Sequence, residues 1–214
     1  QRHDEHSLCK NEKMKTVILI ARVLSALFRP TYYPLVGFII LFAFTYMSIF
    51  PWMFKLWVLG MVYLFTVLLP TVCTHAYRHI RGWKTQELRH QHKRLVPYAI
   101  HLCCYLCCMF IMQSIHLPRF MLAVLAVSLL IQCTCVNLRW KVSIHSAGAG
   151  GVTGALVVYS QLFGFNPMWW LCGCILLCGL VMTSRTILRQ HSLGQVLAGT
   201  LLGILCGCLG VWGI

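Results

Sequence analysis

Acidic side chains are nearly missing from this 214-residue chain: Asp4, Glu5, Glu12 and Glu87 stand against 18 lysines and arginines. Three of the four precede Met14, and none falls in a long apolar run. This shortage excludes several kinds of chemistry. Acid–base catalysis by a carboxylate pair has no residues to use. An all-oxygen site for magnesium cannot be assembled, and the carboxylate relays of proton-driven transporters are absent. Chemistry in the core has to draw on histidine, arginine, lysine, serine and the backbone, so we expect neither a metal nor a cofactor.

Polar sequence is scarce as well. The chain is 59% hydrophobic and 10% charged, and no soluble stretch is long enough to bury a core of its own. The expectation is an all-α, polytopic membrane protein of about six or seven spanning helices, with apolar segments at 33–50, 53–74, 96–115, 119–137, 147–165, 168–184 and 193–213. Met14 to Phe28 differs. Lys15, Arg22 and Arg29 recur at sevenfold spacing and share one helical face, which reads as an interfacial helix lying on the membrane. Residues 1–13 read as an extension, and 14–214 as a single membrane-embedded domain. Thirteen cysteines could suggest disulfides, but eleven lie inside apolar runs, where they read as small hydrophobes packing between helices.

Counting crossings places the N-terminal region, the basic segment 75–94, and the approaches to Val142 and Ser184 on one face. Of the 18 lysines and arginines, all but Lys55 and Arg119, hence 16, fall there. The positive-inside rule makes that face cytoplasmic, and the same charge suits an anionic substrate. The basic residues line a membrane face, so nucleic acid is not the expected partner. The spans contain no polar translocation path, with His101 as the main polar oddity. His75-x3-His79 has metal-like spacing on a helix but no third ligand except Cys73, and reads as a solvated interface.

Two short segments stand out. Ser143-Ile144-His145 opens one glycine-rich apolar run, and Ser184-Arg185, followed after five residues by His191, precedes another. A helix N-terminus offers unpaired N–H groups and the positive end of the helix dipole, both of which favour a phosphate. Ala147, Gly151 and Ala155 form a stripe along the first run, with Gly150 and Gly154 beside it. Gly199, Gly203 and Gly207 repeat every fourth residue along the second. Such stripes let membrane helices touch backbone to backbone. If they face one another, the two histidines meet at the surface.

Ser184-Arg185-x5-His191-x3-Gln195 resembles the third signature, Ser-Arg-x5-His-x3-Asp, of the type 2 phosphatidic acid phosphatase superfamily. Ser143-Ile144-His145 is similar to its second, Pro-Ser-Gly-His. The likeness covers roughly residues 81–214. For the first signature, Lys-x6-Arg-Pro, Arg94 is the preferred counterpart, with Lys93 beside it, Arg89 second and Arg29 third; Arg22-x6-Arg29-Pro30 matches the letters but lies far from the second signature. The resemblance implies metal-independent hydrolysis of lipid phosphates through a phosphohistidine. His191 would attack phosphorus, and His145 would protonate the leaving oxygen and later activate water. Arg185, Ser143, Arg94, Arg89 and Lys93 would hold the phosphate. Three positions depart from the pattern: Gln195 for Asp, Ile144 for Gly and Val142 for Pro. Gln195 can accept the imidazole N–H bond but supplies no charge. A catalytically silent protein that binds lipid phosphates or a partner therefore stands beside the phosphatase, as does a lipid phosphotransferase. The expected partners are membrane lipids and a lipid-phosphate substrate, the expected location a bacterial inner membrane. The oligomeric state is open.

Overall fold

The computed structural model describes residues 2–44, 46–82, 91–116, 119–137, 142–164 and 166–213; for 2–13, 44, 46–47, 91–95, 119–121 and 135–137 it describes the backbone alone. Among the described residues there is no strand. The helices are α1 (Arg2–Leu27), α2 (Tyr33–Phe44), α3 (Trp52–Tyr63), α4 (Leu69–Ile80), α5 (Gln91–Ser114), α6 (Arg119–Asn137), α7 (Ile144–Phe163), α8 (Met168–Ile187) and α9 (Leu193–Trp212). Among the described residues, five stretches are long and apolar enough to cross a membrane: Met14–Ala43, Trp52–Ile80, Val96–Ser114, Met168–Ile187 and Leu193–Trp212. Leu122–Thr134 is a shorter apolar helix. The protein is an all-α bundle, and these helices fit a multi-pass membrane protein.

Local chemistry explains the breaks. Arg29 is extended (ψ 140°) and Pro30 starts a single 3-10 turn, because proline has no N–H to continue α1 and disfavours helical geometry in the residue before it. Helix α2 is consequently only 12 residues long, about 18 Å, too short alone for a hydrocarbon core of about 30 Å. The segment expected to span over 33–50 thus ends at Phe44, and a 3-10 turn, Tyr46–Ile49, follows. The second segment is longer than expected. A π-turn at Leu64–Leu68 joins α3 to α4 without interruption. Pro70 sits directly after it, and the hydroxyls of Thr66, Thr71 and Thr74 donate to the carbonyls of Val62, Val67 and Pro70. Each is a back-bond to the carbonyl four residues earlier, which keeps a threonine hydroxyl satisfied inside an apolar helix. The helix runs on to Ile80 and α5 is described from Gln91, so both ends of the basic segment 75–94, expected as an exposed loop or short surface helix, continue long helices, and 83–90 lie outside the described residues.

Helix α1 continues from Arg2 through Leu27 with no break at residue 13 and packs on α8. The buried core gathers Phe38, Val58, Val62, Tyr105, Met112, Leu125 and Ala147. The tightest seam lies between α7 and α9, where the small-residue stripes face one another. A methyl added at Gly203 would strike the backbone of Ala147, and one at Gly150 the backbone of Thr200. Only glycine permits this approach, and it sets the heads of the two helices side by side.

Candidate functional site

Ser143 caps the start of α7 in an extended conformation (φ −82°, ψ 108°). Its N–H reaches the Gln195 carbonyl of α9 at 3.4 Å, which ties the two helix heads together. His145 follows on the first turn of α7. Its carbonyl accepts from Tyr33 Oη at 3.0 Å, and the Tyr33 ring occupies the space beside Gly148 that any side chain would need. The end of α1 and the start of α2 are thereby fastened to the head of α7. Phe28 and Tyr33 complete the contact by packing on Ala149, Cys178 and Val181.

His191 lies in the turn before α9. Ser192 is the N-cap, and it forms a reciprocal capping box with Gln195: Gln195 N–H donates to Ser192 Oγ at 3.4 Å, and Ser192 N–H donates to Gln195 Oε1 at 3.2 Å. The same Oε1 lies 3.3 Å from His191 Nδ1. A backbone N–H can only donate, so the Gln195 atom facing it is the oxygen, and the imidazole can bond to that oxygen only as Nδ1–H. This tautomer leaves the lone pair on Nε2. Gln195 therefore serves as both helix cap and imidazole orienter, while adding no charge.

Arg185 closes the arrangement from the end of α8. The residue is 91% buried, being 9% exposed. Its Nη1 donates to Ser25 Oγ of α1 at 2.7 Å, and its Nε has no partner among the described residues. No carboxylate exists among the described side chains to neutralise it. A charge taken out of water costs several kcal/mol unless an opposite charge meets it, so this guanidinium is short of an anion.

These groups share one cavity of about 620 Å³, whose walls include His145, His191, Arg185, Arg189, Gln190, Pro30 and Thr31. The same cavity is also lined by Tyr98 and His101 of α5 and Gln132 of α6. Burial pulls the His145 pKa down to about 3, helped by the positive fields of Arg185, His191 and Arg29, while the Ser25 carbonyl beside the ring opposes the shift. The free site thus repels positive charge. Arg189 carries its guanidinium on a left-handed residue (φ 50°), a conformation that costs a side-chain-bearing residue about 1–2 kcal/mol.

His145, His191, Gln195 and Arg185 are brought together. Ser143 is fully buried and is not among the residues that line the cavity, and its Oγ has no partner among the described residues. Lys93 and Arg94 lie on the first turn of α5, where the backbone alone is described, and Arg89 lies outside the described residues. Arg29, the third choice for the first signature, bears on His145, and its neighbour Pro30 lines the cavity. Sequence reasoning missed Ser25, Tyr33, Tyr98 and Gln132. Only His101 had left a trace, as a polar residue in a span. Among the described residues, no cluster of three histidine, cysteine or acidic side chains exists that could hold a metal ion. Comparison with protein-family models, with curated proteins and with solved structures returned no match.

Proposed function

We propose that the protein is an integral membrane phosphatase for lipid phosphates, working through a phosphohistidine without a metal. The observation that carries this reading is the cavity in which two imidazoles converge with a buried guanidinium that meets no carboxylate among the described side chains. A phosphate is the right size and charge for it, and a planar guanidinium meets phosphate oxygens two at a time.

The chemistry follows from the geometry. Held by the Nδ1–H bond to Gln195, His191 directs Nε2 at phosphorus. The new N–P bond forms as the bond to the alcohol oxygen breaks. A depressed pKa leaves His145 uncharged near neutrality, so the proton for the leaving alcohol enters with a monoanionic phosphate and passes through His145. That transfer is eased once the incoming negative charge offsets Arg185 and Arg29. In the second half, His145 takes a proton from water as the water oxygen attacks phosphorus, and inorganic phosphate and His191 are released. Arg185 steadies the charge on the equatorial oxygens throughout.

Gln195 favours a second reading, in which the cavity binds lipid phosphate without hydrolysing it or passes the phosphoryl group to another acceptor, because a neutral amide stabilises an imidazolium less than a carboxylate does. Phosphate release by purified protein from a panel of lipid phosphates, in the presence of chelator, separates these. Release abolished by His191→Ala and by His145→Ala supports the phosphatase; binding without release in the unaltered protein overturns it. The basic face suggests a bacterial inner membrane with this site on the cytoplasmic side.

A further inference from the structure

Ser25, in the last turn of α1, touches two of the groups that the proposed reaction relies on. Its hydroxyl oxygen accepts from Arg185 Nη1 at 2.7 Å. Its carbonyl accepts from the His145 ring. These partners belong to α8 and α7, while Ser25 is not among the residues that line the cavity. It holds both groups from behind.

The way α1 ends makes this carbonyl available. The helix stops at Leu27, ahead of the extended Arg29 and Pro30. The last four carbonyls of a helix are left over by its own bonding pattern, and that of Ser25 is one of them. The same end carries the negative pole of the helix dipole. No carboxylate exists among the described side chains, so the tip of α1 supplies the negative potential beside a ring that Arg185 and Arg29 face with positive charge.

A carbonyl can only accept. The His145 nitrogen facing Ser25 therefore carries the hydrogen, and the other nitrogen carries the lone pair. That lone pair is what the proposed chemistry uses: it takes the proton of a monoanionic phosphate, passes it to the leaving alcohol oxygen, and later takes one from water. While the ring is protonated, its bond to Ser25 persists and strengthens, since a charged donor bonds more strongly than a neutral one. Gln195 does the same for His191 with a side-chain amide, so each imidazole is steered by a neutral oxygen.

Taking the phosphatase reading as its premise, we infer that Ser25 is a positioning residue for the site: its carbonyl fixes the His145 tautomer and its hydroxyl aims the Arg185 guanidinium. The end of α1 thus sets the acid–base group and the phosphate grip together.

Each contact has its own test on detergent-purified protein. Ser25→Ala removes the hydroxyl and keeps the carbonyl, and alanine is the better helix former, so α1 persists. Orthovanadate should bind about tenfold more weakly, at the low end of what a hydrogen bond to a charged group contributes, and Ser25→Thr should restore the affinity. Exchange of Ala26, which is exposed, for lactic acid turns the link between residues 25 and 26 into an ester, whose carbonyl is a weaker acceptor. Nitrogen-15 NMR of labelled histidine should then show a mixture of His145 tautomers where the unaltered protein shows one. The equivalent hydroxy-acid exchange at Val23, also exposed, should leave the tautomer alone. Neither readout needs turnover. Vanadate affinity indifferent to Ser25→Ala, failure of threonine to restore it, or a tautomer that ignores the ester at 26 or responds equally to the one at 23 overturns the positioning role even where phosphate is released. Both responses with no release from any lipid phosphate sustain the positioning role and overturn the phosphatase. Absence of vanadate binding to the unaltered protein overturns both.

Discussion

Arg185 is surrounded by protein, and among the described side chains its hydrogen bond goes to a serine hydroxyl and not to a carboxylate, so its presence is a cost to the empty fold. Replacing a poorly compensated buried charge with an apolar residue of similar length is often neutral or stabilising by about 1–4 kcal/mol. Arg185→Met should therefore leave the thermal midpoint unchanged or raised, while the stabilisation conferred by orthovanadate disappears. A sharp loss of stability with the vanadate response intact would show that the guanidinium serves packing alone. Gln195→Glu keeps the reach to Ser192 N–H and His191 Nδ1–H and adds the missing charge. It should raise the rate of phosphate release several-fold, and a fall would mean that the neutral orienter is already optimal.

His145 carries the pH prediction. Its folded pKa, about 3, lies below the ordinary 6.5, so the unfolded chain binds the proton more readily. The stability contribution is whole above about 6.5 and is lost as pH falls toward 3. In carbon-labelled histidine NMR the ring should remain neutral at pH 5 in the free protein and titrate higher once vanadate neutralises Arg185 and Arg29. Titration near 6.5 without ligand would contradict its burial beside those cations.

At the scale of elements, the seam between α7 and α9 was legible from a period of four in the glycines, because only residues without side chains let two helices touch along a line. The break at Pro30 had its signal too. What was not legible is the part played by the end of α1: Ser25 reaches a residue 160 positions away, and no local pattern encodes such a meeting. Gln132 was hidden for a related reason, since one amide in an apolar helix gains meaning only from the helices opposite. The seam predicts that Gly203→Leu, by driving a side chain into the Ala147 backbone, costs at least the 1–3 kcal/mol typical of overpacking. Phosphate release should fall with it, whereas Gly179→Leu, at a position with open space around it, should leave the thermal midpoint nearly unaltered. Equal effects at the two glycines would remove the seam from the argument.

For the molecule as a whole, composition alone announced a helical bundle, because a chain with so little polar sequence has few other ways to satisfy its backbone in lipid. The candidate site was legible only as spacing, and the fold gathers that spacing into one chamber. Sidedness is open to a simple measurement. A single crossing by α9 would place its C-terminal end opposite His191, so alkaline phosphatase joined after residue 214 should be active on the outer side of a bacterial inner membrane. An inactive fusion would put the chamber outside.

The double duty of one glutamine oxygen has a last consequence. The atom that steers the imidazole is also the clasp that begins the final helix. A substitution that removes that oxygen frees the ring and loosens the clasp in the same stroke, whereas one that keeps an oxygen there, as glutamate does, changes the charge and spares the clasp. Any attempt to sharpen or silence this protein at position 195 must therefore be judged by two instruments, a calorimeter as well as an assay.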